Sequence, residues 1–193
     1  YELLHTIPAG FRIDGNELIV DPRGMFGLSM STDIHLVTRD IGALRNIATC
    51  IERSHLDITA FCHEAYAAGL ASLVEDEMDL GCTVIDMGAG TTSFAVFQGG
   101  NILYSDSIPI GGAHVTNDIA KGLTTPLQDA ERLKALYGSA IASNNDESEL
   151  IDVPRLGESD SSEPNHVPRS LLVGSIQPRG EEILERVRAR LND

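Results

Sequence analysis

The sequence has no tryptophan, few aromatic residues and only three cysteines, and each scarcity excludes a class of protein. Cys50, Cys62 and Cys82 are odd in number and form no CxxC pair, so they predict neither a disulfide framework nor a thiolate zinc site. We interpret them as small core residues of a protein from a reducing compartment. No apolar run approaches the about 20 residues that span a bilayer, and the N-terminus has no basic-then-apolar signal pattern.

Basic residues are also scarce, since 14 Lys and Arg stand against 29 Asp and Glu and give a formal net charge of -15. A protein with this charge is not expected to bind nucleic acid by neutralising phosphates, and adsorption of this segment to an anionic membrane is disfavoured. The length of 193 residues predicts one domain or two small ones. The chain begins at Tyr1 inside a predicted strand, and we expect it to be a central piece of a longer protein.

The first part of the chain, residues 1–57, predicts a small α+β unit. Residues 1–38 are extended, with a turn at 21–24 that contains proline and glycine. Asp40 is an acceptable N-cap for an amphipathic helix that runs to Arg53, because apolar residues follow it at helical spacing.

The second part, residues 58–193, predicts an α/β arrangement with a buried central strand at 82–87. Residues 75–81 are charged and predict a surface loop. Four further helices are predicted: at 65–74, after Gly111-Gly112, at 126–137 and from Pro178 onward. Further strands are predicted at 56–62, on both sides of Gly99-Gly100, at 149–153 and at 169–176.

The strongest chemical motif is a glycine-rich turn between two strands, Asp86-Met87-Gly88-Ala89-Gly90-Thr91-Thr92-Ser93. Glycines let the backbone approach an anion closely, and successive N–H groups point into such a turn. An Asp at the end of the preceding strand suits Mg²⁺, which is held through its water shell. The alternative is a tight hairpin turn without a ligand; the aspartate before the turn and the two threonines after it favour the phosphate interpretation.

Two further features suit a nucleotide. Glu131 and Lys134 are three apart on a predicted helix and share a face, where the carboxylate could accept from ribose hydroxyls. The alternative for this pair is a surface ion pair. Gly111-Gly112 opens a helix, where N–H groups and the helix dipole suit an anion or a closely approaching ribose. Glycine at a strand-to-helix turn also has purely steric uses.

The order of these elements resembles the actin-like ATPase superfamily and, within it, the FtsA family of bacterial cell-division proteins. The segments "HTIPAGFRIDG", "VDPRGMFGLSM" and "DIHLVT" resemble the inserted subdomain of that family, called 1C or SHS2-like, and residues 68–141 resemble its subdomain 2A almost continuously. The resemblance implies an actin-like, ribonuclease H-like mixed sheet flanked by helices over 58–193, preceded by part of a small α+β subdomain over 1–57.

The resemblance also implies a set of site residues. These are Asp86 as a ligand to Mg²⁺ through water; Gly88, Ala89, Gly90, Thr91 and Thr92 as a cradle for the β- and γ-phosphates of ATP; Gly112 beside the nucleoside; and Glu131 with Lys134 toward ribose and base. Two positions depart from the family pattern, because Ala89 replaces the middle glycine and Ser93 replaces the terminal acid. Both departures affect hydrolysis more than binding, so we expect a weak ATPase at most and no catalytic residue in this piece.

A cellular role follows from the same resemblance. The family polymerises into filaments, links the FtsZ ring to the inner face of the cytoplasmic membrane at the division septum, and recruits later division proteins. Its membrane contact is a C-terminal helix, and that helix, the first phosphate motif and the adenosine motif are not found in these residues. We therefore expect the piece alone to bind ATP weakly and to be inactive. The alternatives are a pilus-assembly actin-like ATPase, or a sugar or acetate kinase of the same superfamily; the segments at 5–15 and 20–30 favour FtsA.

Overall fold

The computed structural model describes residues 1–15, 19, 21–157 and 165–192 of the chain. The residues form two compact units: the first consists of Tyr1–Asp86 and Ser93–Ser107, and the second of Met87–Thr92 and Ile108–Asp193. The predicted subdomain boundary at residue 57 stays a prediction. Among the described residues, no helix combines the length and the apolar character that crossing a membrane requires.

The first unit opens with a two-stranded sheet and a capped helix. Strands β1 (Glu2–Ile13) and β2 (Met30–Arg39) pair antiparallel. Helix α1 (Ile41–Glu52) follows, and the carboxylate of Asp40 accepts from the N–H of Ala43 at 3.0 Å. The predicted helix and its N-cap are therefore confirmed.

In the turn that joins β1 to β2, the side chains of Phe26 and Leu28 are fully exposed and that of Met25 is about half exposed. Asp14 organises this turn, because its carboxylate accepts from the N–H groups of Leu28 at 2.9 Å and Ser29 at 2.8 Å. Its own backbone is left-handed, with a φ of 52°, which is uncommon for a residue other than glycine. These two backbone hydrogen bonds hold the pKa of the Asp14 carboxyl below its ordinary value.

We expect the two hydrogen bonds that Asp14 accepts in this turn to be lost together in acid. Because the pKa of Asp14 is lowered in the folded chain, its hydrogen bonds persist as the pH falls past the ordinary aspartate range of about 3.9 and are lost only as the pH falls through the lowered value. NMR titration should show the amide resonances of Leu28 and Ser29 moving together with that lower midpoint. In Asp14→Asn the transition should be absent; an amide titration that survives in that variant would contradict the assignment.

The remaining elements of the first unit include a three-stranded sheet. They are α2 (Glu64–Ser72), α3 (Glu75–Leu80), β3 (Cys82–Met87), β4 (Thr92–Gln98) and β5 (Asn101–Ile108), with sheet order β3-β4-β5. The connections are too short for parallel crossovers, so neighbouring strands run antiparallel. Gly99 and Gly100 have φ of 57° and 71°, as a two-residue hairpin turn requires, and the predicted hairpin is confirmed.

Three predictions for this unit are wrong, two of secondary structure and one of the position of a strand in its sheet. Residues 56–62 form no strand, since β-pairing needs a neighbour and none pairs with them in the described part of the chain. The charged segment 75–80 is helix α3 instead of a loop, because the Glu77 carboxylate accepts from the N–H of Val74 at 3.1 Å and caps the first turn. Strand β3 is an edge strand, while β4 is the central and buried one.

Two of the cysteines are not core residues, which corrects the sequence interpretation. Cys50 and Cys62 are exposed, Cys82 is half-buried, and all three are free thiols. One apolar core cluster of this unit is formed by Ala65, Ala95, Phe97 and Ile102, and Cys82 packs against it.

The second unit consists of three helices and a short pair of antiparallel strands. Its elements are α4 (Gly112–Gly122), α5 (Leu127–Tyr137), β6 (Leu150–Asp152), β7 (His166–Pro168) and α6 (Arg169–Asn192). Strands β6 and β7 pair antiparallel. The core consists of Val115, Ile119, Ala130, Leu133, Ile151, Val153, Leu172 and Ile176.

Helix α6 corrects two predictions. Residues 169–176 were expected to be a strand and Pro178 to begin a helix, but one helix runs through both and has Pro178 in its interior. Leu172 and Ile176 are four residues apart and both buried, so they lie on one face of a helix. Burial of that face favours a helix over a strand. On α5 the apolar residues are divided between core and surface: Ala130 and Leu133 are buried, whereas Leu127, Leu136 and Tyr137 are exposed.

Candidate functional site

The glycine-rich turn lies directly on the first residues of α4. The N–H of Gly88 donates to the carbonyl of Thr91 at 2.9 Å and closes the turn. The N–H of Gly112 donates to the carbonyl of Gly88, and that of Ala113 to the carbonyl of Ala89, both at 2.9 Å. These helix N–H groups are therefore occupied by the turn, and they are not the anion donors that the glycine pair was expected to supply.

Gly111 is the glycine that this contact requires. A Cβ atom at Gly111 would lie 2.4 Å from the carbonyl oxygen of Gly88 and 2.7 Å from that of Ala89, closer than real Cβ atoms come. A Cβ at Gly112 would meet Lys134 Nζ at 3.7 Å and Gly88 O at 3.8 Å, which is ordinary contact. The predicted site includes Gly112 but not Gly111. The Gly111-Gly112 pair in the sequence is the pattern that could have identified Gly111 as well.

The threonines of the turn have different surroundings. Thr92 is buried, and its hydroxyl donates to the carbonyl of Ile110 at 2.8 Å, so it fastens the turn to the segment before α4. Thr91 is half-buried. A Cβ at Gly90 would meet no atom within 4 Å, and Ala89 is exposed. The accessible side of the turn is therefore formed by residues 89–91.

The two departures from the family pattern are accommodated by the fold. Ala89 is not among the described residues with positive φ, so its methyl group causes no backbone strain in the turn. In the first unit Ser93 is buried, its hydroxyl donates to Glu64 Oε2 at 3.0 Å, and it lies 3.1 Å from the hydroxyl of Ser107. An acid at position 93 would face the Glu64 carboxylate, and two like charges this close are unfavourable.

Lys134 joins α5 to α4 through a cluster of polar groups. Its Nζ donates to Glu131 Oε2 at 2.7 Å, to Thr116 Oγ1 at 2.8 Å and to the carbonyl of Gly112 at 3.2 Å. The hydrogen bond from Lys134, followed by that from the Thr116 hydroxyl, lowers the pKa of Glu131. Glu131 thus stays ionised at neutral pH, and the predicted Glu131 and Lys134 pair lies close to the predicted Gly112.

Thr116 is a member of this cluster that the sequence analysis missed. It is buried on α4 and contacts both charged partners. Its spacing of four from Gly112 places it on the same face of the helix, which is the pattern that could have identified it.

A pocket of about 540 Å³ lies beside the cluster and is lined by residues of α4 and α5. Its lining consists of Ala113, Thr116, Asn117, Leu127, Gln128 and Glu131. This volume lies within the about 300–1,000 Å³ of small-molecule sites. Asn117 and Gln128 are two further lining residues that the sequence analysis did not single out.

Asp86 lies on β3, half-buried, as the last residue of the first unit. In the described ranges, no group of three or more His, Cys, Asp or Glu side chains could hold a metal ion. Asp86 therefore fits Mg²⁺ only as a partner to a hydrated ion whose other oxygen ligands come from water and a ligand's phosphates.

Comparison with known proteins identifies the family of this chain. Residues 83–188 match the sequence model of the family described as "Cell division protein FtsA". The chain belongs to the FtsA family. Residues 1–38 match a second family, described as "SHS2 domain inserted in FTSA". A curated FtsA of Rhizobium meliloti is 46% identical over 189 residues, which cover 98% of this chain and 43% of the relative. The chain thus spans less than half the length of that relative.

Solved structures give the fold. MreB5 of Spiroplasma citri bound to ADP is 25% identical, with a TM-score of 0.60 over 81% of this chain and 49% of that protein. MreB 5 of the same organism bound to AMPPNP matches with the same identity and TM-score, over 81% of this chain and 48% of that protein. The predicted FtsA family and the predicted actin-like α/β fold are both confirmed.

Proposed function

We propose that this FtsA-family chain is part of an actin-like cell-division protein and that its second unit binds ATP. The observation that carries the proposal is the cluster of Lys134, Glu131 and Thr116 beside a pocket of about 540 Å³. A cation, a carboxylate and a roomy apolar wall are the chemistry that a nucleotide needs. The ADP-bound and AMPPNP-bound MreB structures support the same ligand class.

Each predicted residue has a role in this proposal. The backbone of Gly88, Ala89, Gly90, Thr91 and Thr92 faces the β- and γ-phosphates, Gly112 lies near the nucleoside, and Glu131 accepts from ribose hydroxyls. Lys134 holds Glu131 in place and adds positive charge. Asp86 would hold hydrated Mg²⁺ through the water shell of the ion, and the ion would supply positive charge for the phosphates.

We extend the proposal to the cellular role of the family. The whole protein would form filaments, link the FtsZ ring to the cytoplasmic face of the membrane at the septum, and recruit later division proteins. Membrane contact would come from a C-terminal helix outside these 193 residues, and the net charge of -15 agrees with a membrane contact made elsewhere. Membership of the FtsA family is the support for this role, and ATP turnover would be slow at most.

Replacing Lys134 by alanine tests the nucleotide site. Since charge-assisted hydrogen bonds contribute about 1.5–3 kcal/mol, we expect Lys134→Ala to weaken MgATP binding by at least about tenfold in a chain of the relatives' full length. Calorimetric titration measures the Kd, and thermal melting checks the fold. The other lysine of the sequence, the exposed Lys121 at the end of α4, provides the matched control. If Lys134→Ala binds as tightly as Lys121→Ala, the site is assigned wrongly.

A further inference from the structure

One face of the sheet formed by β1 and β2 packs against the rest of the first unit. His5 is paired with Val37 across the two strands. Ile7 and His35 form a second pair on the same face, because alternate residues of a strand point to the same side. Ile7 packs against the apolar core cluster of the unit, and Val37 is buried. The face that holds the sheet in place therefore contains two histidines.

His5 attaches this face to helix α2. Its Nε2 accepts a hydrogen bond from the backbone N–H of His63, the N-cap residue of α2, at 2.9 Å. The edge of one ring also meets the other between His5 and Tyr66, with ring centres 5.5 Å apart. A neutral histidine accepts at one ring nitrogen, whereas both nitrogens of the protonated ring donate. Protonation of His5 therefore breaks the bond to α2 and turns two N–H groups toward each other.

His35 and His63 are also placed where a positive charge is unfavourable. Nε2 of His35 lies 2.9 Å from the hydroxyl of Ser105 on β5. Nδ1 of His63 is buried and has no hydrogen-bond partner among the residues that the structure describes. Burial, followed by the positive charge that His5 carries when protonated, lowers the pKa of both rings below the ordinary histidine value. The packed sheet thus favours neutral rings.

The charged groups around these rings do not offset a positive charge on all three. Arg39 on β2 lowers the pKa of His63, and Glu64 at the start of α2 raises it. Arg12 and Asp33, which line a pocket together with the histidine of β2, are bonded to each other at 2.8 Å. Glu64 is therefore one carboxylate opposite three imidazole rings and a guanidinium group.

We propose that His5, His35 and His63 form an acid-sensitive contact, which holds the β1–β2 sheet on the rest of the first unit while the rings are neutral and releases it when they are protonated. The released sheet binds more protons than the packed one. The contact is therefore stable above the ordinary histidine pKa of about 6.5 and weakens as the pH falls through that value. Each ring that is protonated only on release favours release by up to about tenfold per pH unit.

Hydrogen exchange at the backbone amide of His63 measures this release, because that amide is bonded to His5 only while the sheet is packed. The experiment uses a chain of the relatives' full length with isotopically labelled histidine and without nucleotide. We expect the protection of this amide, relative to the intrinsic exchange rate at each pH, to fall by at least about tenfold between about pH 7.5 and about pH 5.5. Equal protection at both pH values would overturn the proposal.

A double variant, His5→Gln with His35→Gln, removes two of the titrating rings. The carboxamide oxygen at position 5 can still accept from the N–H of His63, but it is not protonated in this pH range. We expect protection at about pH 7.5 to be kept and its fall toward about pH 5.5 to shrink to about threefold or less. His166→Gln, at an exposed position on β7, makes the same change outside the first unit and should keep the full fall. If the double variant loses as much protection in acid as His166→Gln, other groups cause the release and the proposal is wrong.

Two measurements on the unsubstituted chain need no variant. The amide of His114 on α4 donates to the carbonyl of Gly111 and should stay protected at both pH values, which separates release of the sheet from general acid unfolding. An equal loss at His114 would contradict a local contact. The ring resonances of His35 and His63 should titrate with midpoints below about 6.5, and midpoints at or above that value would also contradict it.

Discussion

Replacing Arg169 by methionine is expected to lower the free energy of unfolding of the second unit by about 3–5 kcal/mol. The side chain of Asp146 is only 3% exposed, and its carboxylate accepts from Arg169 Nη1 at 2.7 Å and from the N–H of Ser143 at 2.7 Å. Removing the guanidinium leaves a buried carboxylate without its counter-charge. Removing one partner of a buried ion pair lowers the free energy of unfolding by more than the intact pair contributes to it, because the other charge stays buried without a partner.

Arg169 also connects three segments, which adds to the expected loss. It is the first residue of α6, and its Nε donates to the carbonyl of Tyr137 at the end of α5 at 2.8 Å. Its own N–H donates to the carbonyl of Glu149 at 2.8 Å. The end of α5, the loop with Asp146 and the start of α6 thus meet at one side chain.

Two variants make this prediction specific. Arg188→Met changes an exposed arginine on the same helix and should alter stability by no more than about 0.5 kcal/mol. The double variant Arg169→Met with Asp146→Asn should recover most of the loss, because the remaining amide oxygen still accepts from Ser143 and no buried charge is left. Urea unfolding measures all three. If the single variant is no less stable than Arg188→Met, the buried pair does not stabilise the unit.

Sequence patterns correctly predict those elements whose determining residues lie close together in the chain. The cap at Asp40, the hairpin at Gly99-Gly100 and the helix that begins at Gly112 each depend on residues within about one turn of one another. The predicted strand at 56–62 and the predicted central, buried position of β3 are wrong, because strand formation and burial depend on neighbours that the local pattern does not specify.

Helix α6 was misinterpreted for a different reason. Proline favours the first turn of a helix, and the sequence therefore predicts that a helix begins at Pro178. The buried stripe that includes Leu172, Ile176, Ile183 and Val187 spans the proline on both sides, and its burial outweighs the hydrogen bond that proline cannot donate.

The candidate site shows the same division. Glu131 and Lys134 could be predicted from their spacing, because three residues apart on a helix is a local property. Thr116 and Gly111 depend on the approach of other segments: Thr116 on α5 packing against α4, and Gly111 on the carbonyl groups of the turn lying against its Cα. A single sequence gives the residue types at these positions, but it does not show which other segments pack against them.

The contact at Gly111 leads to the second prediction, Gly111→Ala. The backbone at Gly111 has a φ of -161°, which any residue adopts, so any strain comes from the contact alone. A Cβ at 2.4 Å from the carbonyl of Gly88 must push the turn and α4 apart by about 1 Å to reach ordinary contact. That displacement breaks the hydrogen bonds from Gly112 to Gly88 and from Ala113 to Ala89. We expect a loss of about 1–3 kcal/mol in unfolding free energy, the usual cost of overpacking.

Nucleotide binding should suffer as well. The displaced backbone is the one proposed to face the phosphates, so we expect MgATP affinity to fall by at least about tenfold in a chain of the relatives' full length, which corresponds to about 1.4 kcal/mol of lost binding free energy. Gly112→Ala is the control, since its Cβ makes only ordinary contacts at 3.7 and 3.8 Å and should leave unfolding unchanged within about 0.5 kcal/mol. If Gly112 lies beside the nucleoside as proposed, its alanine variant weakens binding while the fold stays intact. Equal stability of the two variants would show that the turn does not need glycine at 111.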